Sequence, residues 1–376
     1  MSTSTTMAVE QAAQQIPAQS RLFSLDLFRG ITIAAMIVVN NQSSVEAYWP
    51  LRHAEWNGWT PTDLIFPFFL FIVGVSLVFS FHSRVARGES RHALLLHVLR
   101  RTAVLFAVGL MLNMLWALHT GSLRIPGVLQ RIALVYCAAG LLTLYTSTRA
   151  RLLWTTALVL GYWLLMRYVP VPGYGTPGVD VPVLHVDGNL AAYLDRKLMG
   201  SHLWQVTRDP EGFLSTIPAI ATALCGVVTG EWLRSDRGPQ AKARGMLVYG
   251  FLGILAGEIW NHWFPINKNL WTSSYVLFTA GGALICLTAC YWATDVKVHR
   301  GRWATPFLIL GTNAITAYVL SEVLGGWLAW KGSSLFRWLA VIDSPAAASL
   351  LHSFVLLVLS FLPVWWMYRK RIFLKI

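Results

Sequence analysis

Long apolar runs alternate with short polar connectors along nearly the whole chain. Several of these runs approach the roughly 20 residues that an α-helix needs to cross the hydrocarbon core of a bilayer. Within that core the backbone has to satisfy its own hydrogen bonds, and a helix does so. The pattern therefore predicts an all-α, polytopic integral membrane helical bundle with about ten transmembrane helices. The predicted spans are residues 27–40, 63–81, 93–118, 128–145, 152–169, 213–233, 246–263, 271–293, 305–327 and 348–368.

The composition supports a membrane protein and argues against other classes. Hydrophobic residues make up 55% of the chain and charged residues only 12%, whereas soluble domains carry roughly 25% charged residues. The net charge of +13 does not indicate nucleic-acid binding, because the basic residues lie in short clusters between apolar runs. All four cysteines fall within apolar runs, so neither a disulfide framework nor a metal site is predicted.

The basic clusters occur in alternate connectors, and this determines the predicted orientation. By the positive-inside rule these connectors face the cytoplasm. An even number of spans then places both termini in the cytoplasm and the other connectors in the periplasm. We predict a multi-pass protein of the cell inner (cytoplasmic) membrane, in contact with membrane lipid. The cluster residues are Arg84, Arg87, Arg91, Arg149, Arg151, Arg234, Arg237, Lys242, Arg244, Lys297, Arg300, Arg302, Arg369, Lys370, Arg371 and Lys375.

Two segments outside the spans have a distinct composition. Residues 1–20 are polar and lack the basic start and apolar core of a signal peptide. They are predicted to form a disordered cytoplasmic tail, which leaves 21–376 as one transmembrane domain. In the longest connector, 170–212, Pro and Gly exclude a regular helix at the start, and 190–199 is predicted to be a short interfacial helix. This connector is either a lid over a site or an inert spacer.

The stretch 24–81 contains the densest polar chemistry of the chain. Two apolar runs flank a connector that is rich in amides, aromatic rings and charged groups. His53 lies in this connector, and an imidazole takes up and returns a proton near neutral pH. One interpretation is a general base near the outer surface, or a group that receives an acyl group. The other is an interfacial histidine that bonds a backbone carbonyl.

Asn40 and Asp63 lie on either side of this connector. The Asn40 amide can donate to an oxyanion, or it can end the first helix as a C-cap. Thr60, Pro61 and Asp63 fit a capping box at the start of the second span. Asp63 also has a compatible second interpretation, as a carboxylate that orients His53 or binds the ammonium group of a substrate.

Further polar residues near the outer ends of the spans are candidates for substrate or cofactor binding. Arg131 is predicted to lie more than one turn inside the bilayer, where it needs a polar cavity or a carboxylate. The carboxylates considered as its partners are Glu258, Asp63 and Glu322. Lys268 can bind a carboxylate or phosphate, or it is simply interfacial. The remaining candidates are Trp56, Asn57, Arg124, Gln130, Asn267, Trp271 and Ser274.

Several long motifs, in a fixed order, resemble those of one family. The chain resembles the transmembrane acetyltransferases typified by lysosomal heparan-α-glucosaminide N-acetyltransferase, which include bacterial N-acetylglucosamine-related membrane proteins. The matching segments run from about residue 21 to residue 376, nearly the whole chain. The motifs are SLDLFRG (24–30), VVNN (38–41), RHAEWNGWTPTDLIFPFFLFIVG (52–74), RIPGVLQRIALVY (124–136), DPEGFLSTIPAI (209–220), NKNLWTSSY (267–275) and RKRIFLKI (369–376).

The resemblance implies an acetyl-CoA-dependent N-acetyltransferase. Acetyl would pass from cytoplasmic acetyl-CoA to the amino group of a glucosamine-type sugar at the periplasmic face, without a metal. The active-site histidine of the family would be His53, and Asn40 would lie beside the acetyl group. Whether His53 acts as a base in a ternary complex or carries the acetyl group stays open. The lysosomal member is dimeric, so a homodimer is also implied.

The expected acetyl-CoA donor suggests a second interpretation for Asp26 and Arg29, which lie at the inner end of the first span. Asp26 and Arg29 are three residues apart, which suits an ion pair on one helix face. Alternatively, Arg29 meets the phosphates of coenzyme A, together with Arg100, Arg101 or Lys370.

The rival function is an amino-sugar transporter. Buried polar groups and broken helices are also typical of transporters. No two-fold internal repeat is visible in the sequence, which favours the enzyme.

Overall fold

The computed structural model describes residues 22–42, 47–331 and 342–374. These residues form α-helices joined by connectors, with two isolated β-bridges in the connector that follows residue 168. The helices are α1 (Phe23–Asn40), α2 (Ile65–Ala86), α3 (Arg91–Thr120), α4 (Val128–Tyr145), α5 (Thr148–Tyr168), α6 (Leu190–Met199), α7 (Thr216–Arg234), α8 (Pro239–Asn261), α9 (Ser273–Tyr291), α10 (Thr305–Thr312), α11 (Ala314–Lys331) and α12 (Pro345–Arg369).

A helix occupies each of the ten predicted spans, so the predicted all-α membrane bundle is confirmed. In the described part of the chain, seven helices are long and apolar enough to cross a membrane, or eight if the bent pair α10–α11 forms one span. Helices α5 and α8 are outside that set, so ten crossings stay a prediction. The predicted interfacial helix 190–199 is confirmed as α6, within the longest connector.

Close helix contacts at glycines position the ends of α1 and α2. A Cβ atom on Gly74 of α2 would lie 1.9 Å from the Ala223 carbonyl oxygen of α7. A Cβ atom on Gly30 of α1 would lie 1.7 Å from the Phe307 carbonyl oxygen of α10. Such distances leave no room for a side chain. Small residues allow this approach in membranes, where van der Waals packing drives helix association.

The predicted span 305–327 is broken at Asn313, between α10 and α11, where the helix axis turns by 79°. Asn313 has φ −128° and ψ 46°, which is not helical. Its side chain binds the C-terminal segment instead: Nδ2 donates to the Ile372 carbonyl oxygen at 3.1 Å, and Oδ1 accepts from the Leu374 amide at 2.9 Å. This contact gives Asn313 a structural role.

One end of the bundle, which we call the polar end, is a layer of long connectors. The Gly58 amide donates to the Ile266 carbonyl at 2.7 Å, and the Ile125 amide donates to the His202 carbonyl at 3.0 Å. Connectors that are far apart in sequence therefore pack on one another above the helices. The described connectors of the polar end are 47–60, 121–127, 169–215 and 262–272.

The opposite end, the basic end, carries the short connectors with the basic clusters. Helix α1 begins there, since the Ser24 amide donates to Asp295 at 3.1 Å. The described basic connectors are 87–90, 146–147, 235–238 and 297–301. Basic and polar connectors therefore alternate along the chain because successive connectors lie at opposite ends of one bundle. The assignment of the basic end to the cytoplasm stays a prediction.

A labelling experiment tests this orientation. Cysteines are introduced at Arg237, at the basic end, and at Ser43, which lies outside the described residues. In intact cells an impermeant maleimide should label position 43 and leave position 237 unlabelled, because the positive-inside rule places basic connectors in the cytoplasm. The unsubstituted chain, whose native cysteines lie in helices, serves as the control. Labelling of position 237 alone would reverse the orientation.

Candidate active site

The second span begins with the predicted capping box. Residues Pro61–Leu64 form a 3₁₀ turn that leads into α2, and Thr60 before it is extended, with φ −125° and ψ 168°. The Asp63 Oδ2 atom accepts from the Thr60 amide at 3.0 Å and from the Thr60 Oγ1 atom at 3.1 Å. This reciprocal capping satisfies backbone donors that the first turn leaves without partners. Asp63 is therefore held rigidly at the helix start.

The same carboxylate also orients His53. The Asp63 Oδ1 atom lies 2.7 Å from His53 Nδ1, and Oδ2 accepts from the Ala54 amide at 3.0 Å. Asp63 is 1% exposed, whereas the His53 side chain is 49% exposed. Tyr275 of α9 donates its hydroxyl to the Asp63 carbonyl oxygen. The helix cap and the contact with His53 are therefore made by the same carboxylate, and its role in catalysis stays a prediction.

Lys268 completes a cluster of three charged or titratable side chains. Its Nζ atom lies 2.9 Å from His53 Nδ1, 3.3 Å from His53 Nε2 and 3.5 Å from Asp63 Oδ1. Burial lowers the pKa of the Lys268 ammonium, while the carboxylates of Asp63 and Glu211 act in the opposite direction. We call His53, Asp63 and Lys268 the His–Asp–Lys cluster.

Asn267 ties the connector of Lys268 to the connector of His53. It is fully buried, and its Nδ2 atom donates to the Trp56 carbonyl oxygen at 2.9 Å and to Asn57 Oδ1 at 3.2 Å. Its Oδ1 atom accepts from the Leu270 amide at 3.0 Å. Ser274 is also fully buried, and its hydroxyl donates to the Phe264 carbonyl at 2.6 Å. The predicted binding residues Asn267 and Ser274 are thus engaged in holding the connectors in place.

Trp56 lies between the His53 connector and the longest connector. Its Nε1 atom donates to the Leu184 carbonyl oxygen at 2.7 Å. The Arg208 guanidinium lies over its ring, 5.1 Å from the ring centroid, which is a cation–π contact. Asn57 beside it is exposed. The longest connector therefore packs against the loop of His53, which is the position a lid would need.

Arg124 and Gln130 make structural contacts at the start of α4. Arg124 forms hydrogen-bonded ion pairs with Glu211 and with Asp209, at 2.9 Å from its Nε atom to Asp209 Oδ2. Burial alone would raise the pKa of Glu211, but the nearby guanidinium groups of Arg124 and Arg131 outweigh it and lower that pKa. Gln130 is buried and donates to the Ile125 carbonyl at 3.1 Å.

Arg131 is 1% exposed, one turn into α4. Its Nη2 atom donates to the Gly212 carbonyl at 3.2 Å and to the Ser215 hydroxyl, and its guanidinium lies 5.1 Å from the Trp271 ring centroid. These groups stand in place of the carboxylate partners considered from the sequence. Among the described residues, its Nε and Nη1 atoms have no hydrogen-bond partner. Trp271 is itself buried, with its Nε1 atom donating to Thr222 at 3.1 Å.

Asn40 is the last residue of α1, and its exposed side chain hydrogen-bonds with Glu322 of α11. The C-cap role considered for Asn40 belongs to the next residue. Asn41 is the C-cap, and its Nδ2 atom donates to the Ile37 carbonyl oxygen at 2.7 Å. Asn40 lies at the same end of the bundle as the His–Asp–Lys cluster.

Arg29 lies far from this cluster, near the basic end of α1. Its Nη1 atom lies 2.8 Å from Asp26 Oδ1 and 3.2 Å from the Gly311 carbonyl oxygen, and its Nη2 atom donates to the Ser76 hydroxyl at 2.7 Å. The geometry supports the ion-pair interpretation. Contact of Arg29 with the phosphates of coenzyme A stays a prediction.

Sequence reasoning assigned no role to several residues that build the polar end. Tyr275 and Thr222 hold Asp63 and Trp271, while Asp209 and Glu211 pair with Arg124. Asp209 and Glu211 belong to the motif DPEGFLSTIPAI (209–220). The acidic pair beside Pro and Gly in this motif was the signal in the sequence that could have indicated their role.

The fold and the cluster together define a polytopic helical membrane protein with a His–carboxylate pair where two helices end. The chain belongs to the family described as "Heparan-alpha-glucosaminide N-acetyltransferase, catalytic", which matches residues 21–257. The resemblance found in the sequence is therefore confirmed.

Two curated relatives are similar to nearly the whole chain. The heparan-alpha-glucosaminide N-acetyltransferase of Mus musculus is 33% identical over 95% of this chain and 61% of the relative. The protein of the same name from Homo sapiens is 32% identical over 95% of this chain and 60% of the relative. The chain thus spans about three fifths of the length of these relatives.

Proposed function

We propose that this protein is a membrane N-acetyltransferase that moves acetyl from acetyl-CoA to the amino group of a glucosamine-type sugar. The observation that carries the proposal is the pair of His53 and the buried Asp63, with 2.7 Å between His53 Nδ1 and Asp63 Oδ1. The two relatives are both named as heparan-alpha-glucosaminide N-acetyltransferases, which supports this class of reaction and of acceptor. The donor enters from the cytoplasmic side, and the acceptor binds at the polar end.

The carboxylate determines which nitrogen of His53 can act as a base. A hydrogen on Nδ1 satisfies Asp63, and it leaves the lone pair on Nε2 of a half-exposed ring. Nε2 takes a proton from the ammonium of the acceptor, since an ammonium has no lone pair with which to attack. The amine nitrogen then forms a bond to the thioester carbonyl carbon, and the carbon–sulfur bond breaks. The departing thiolate of coenzyme A takes up the second proton, which the acetylated nitrogen loses.

Other groups of the polar end bind parts of the ligands and stabilise the charge that develops during the reaction. The Asn40 amide donates to the oxyanion that develops on the acetyl oxygen. The two buried nitrogen atoms of Arg131 that have no partner among the described residues suit an anionic part of a ligand. The longest connector covers the site, through its contacts with Trp56.

Release of free thiol from acetyl-CoA tests the proposed activity. Purified full-length protein should release the thiol of coenzyme A faster when glucosamine is added. N-acetylglucosamine, whose amine is already acylated, is the matched control and should cause no such increase. A transporter of amino sugars would release no thiol under either condition, and that result would reject the proposal.

A further inference from the structure

Lys268 contacts both members of the His53–Asp63 pair. Its Nζ atom is within hydrogen-bond distance of both ring nitrogens of His53, at 2.9 Å and 3.3 Å, and it lies 3.5 Å from Asp63 Oδ1. An ammonium group carries three hydrogens on one nitrogen, so it can contact these acceptors and still direct a hydrogen elsewhere. The lysine side chain is 20% exposed. Like the half-exposed imidazole, it is therefore open to a ligand, while the carboxylate is enclosed.

The turn that carries Lys268 is held rigidly. Asn267 is fully buried, and its Oδ1 atom accepts from the Leu270 amide at 3.0 Å. The Trp271 amide donates to the Lys268 carbonyl oxygen at 3.1 Å. Trp271 has φ 51°, a left-handed conformation that is strained for a bulky residue. Such strain persists where the surrounding structure enforces it, and it is concentrated at functional sites. The turn therefore fixes the position from which the lysine side chain reaches His53.

Burial and neighbouring charges act on the Lys268 ammonium. Burial has the largest effect and lowers its pKa, and the Arg131 guanidinium acts in the same direction. The carboxylates of Asp63 and Glu211 act in the opposite direction without cancelling the effect of burial, so the pKa of Lys268 is below that of a free lysine. A lysine in this state gives up a proton more readily than a lysine in water.

The proposed reaction removes two protons from one nitrogen. The acceptor enters as an ammonium with three hydrogens on nitrogen, and only one of them remains in the amide product. His53 takes the first proton, and the imidazolium that forms has no lone pair with which to take the second. The departing thiolate needs a proton at the same stage. The reaction is therefore suited to a second group beside His53 that both gives and takes a proton.

We propose that Lys268 is this second proton-transfer residue and that it protonates the departing thiolate of coenzyme A. The inference rests on the proposed function, since the thiolate forms only in acetyl transfer. The Lys268 ammonium donates a proton to the sulfur as the carbon–sulfur bond breaks, and it becomes a neutral amine. This amine takes the second proton from the acetylated nitrogen, which restores the ammonium. The first proton leaves His53 for solvent from the half-exposed ring.

An arginine at position 268 separates proton transfer from charge. Arginine keeps the positive charge beside Asp63, but its guanidinium does not lose a proton in proteins. Lys268→Arg and Lys268→Gln should therefore both lower kcat with acetyl-CoA and glucosamine, by about 10²–10⁴. In Lys268→Arg the KM for glucosamine and the melting temperature should stay close to the wild-type values.

Lys197→Arg is the matched control, because Lys197 is exposed in α6, at the polar end, and it should keep normal kcat. Wild-type kcat in Lys268→Arg would show that only the charge is needed. A raised KM with an unchanged kcat in Lys268→Gln would make Lys268 an anion-binding group. Either result overturns the inference and leaves acetyl transfer by the wild-type protein in place. Absence of acetyl transfer by the wild-type protein would instead reject the proposed function, and this inference with it.

Chemical modification covers the case that Lys268→Arg does not fold. Lys268→Cys is alkylated with one of two haloethylammonium reagents that differ by a single methyl group. Both products have the length and the positive charge of lysine, but the dimethylammonium product keeps one transferable hydrogen and the trimethylammonium product has none. Wild-type protein treated in the same way controls for the native cysteines, which lie in helices.

The dimethylammonium product should recover at least about 10-fold in kcat over unmodified Lys268→Cys, because a proton donor is restored. The trimethylammonium product should recover nothing, although it restores the charge. Mass spectrometry confirms that position 268 is alkylated in both samples. Equal recovery with both reagents, or recovery with neither, would contradict proton transfer by Lys268.

Discussion

His53→Ala should lose acetyl transfer while donor binding is kept. Loss of a general base costs about 10²–10⁴ in rate, and the alanine side chain can neither accept a proton nor carry an acetyl group. The side chain is about half exposed and lies in a connector, so its removal leaves the helix core intact. We expect the phosphates and adenine of the donor to be held by other groups. Turnover and donor affinity are both measured on protein in detergent, and the affinity is measured by calorimetry.

His262→Ala is the matched control, because His262 is exposed in another connector of the polar end. It should keep normal turnover and donor affinity. Near-normal turnover of His53→Ala would remove His53 from the mechanism. Loss of donor binding together with a lowered melting temperature would give His53 a structural role instead.

Asp63→Asn should lower kcat by about 10²–10⁴ with little effect on folding. The oxygen of the new side-chain amide can still accept hydrogen bonds from the backbone amides of Thr60 and Ala54, as Asp63 Oδ2 does at 3.0 Å from both. The helix cap is therefore kept. The amide nitrogen then faces His53 Nδ1 and donates to it, which places the histidine hydrogen on Nε2. The lone pair is then directed away from the acceptor, as in the corresponding change in serine proteases.

The control for this variant is Asp180→Asn, because Asp180 is exposed and accepts from the Thr176 amide at 2.7 Å. Turnover is compared with the melting temperature of each protein. A loss of turnover that follows the melting temperature would indicate that Asp63 only caps the helix. Normal turnover in a well-folded Asp63→Asn variant would show that the orientation of His53 is not needed.

The helices were predictable because the signals that define them are local. Apolar runs located all ten predicted spans, and the Thr60–Asp63 spacing predicted the capping box that the structure contains. The break at Asn313 was not predictable, since hydropathy is continuous across it. At the break, the Asn313 side chain bonds to Ile372 and Leu374, which are about 60 residues further along the chain.

The contacts within the site depend on residues that are distant in sequence. Lys268 and His53 are 215 residues apart, and Arg124 and Asp209 are 85 residues apart. No local pattern reports such pairs, so the sequence indicated Lys268 as an anion-binding group and missed its contact with the imidazole. The family was predictable from ordered motifs, and the comparison confirms it.

The site roles of individual residues stay predictions that only activity can test. Trp56, Asn267 and Ser274 were selected as binding residues because polar and aromatic groups collected near a helix end. The structure places all three in contacts that hold connectors together. The sequence pattern therefore indicated a candidate site, but it did not separate the residues that hold the connectors together from those proposed to act on a substrate.

Acetyl transfer itself is the most direct test of the central claim, that His53 and Asp63 catalyse N-acetylation of an amino sugar. Purified full-length protein is given acetyl-CoA with an isotopically labelled acetyl group together with glucosamine, and the sugar is analysed by mass spectrometry. The account predicts labelled N-acetylglucosamine that accumulates with the wild-type protein and falls by about 10²–10⁴ in rate with His53→Ala. Glucosamine that stays unlabelled, or equal labelling by both proteins, would contradict it.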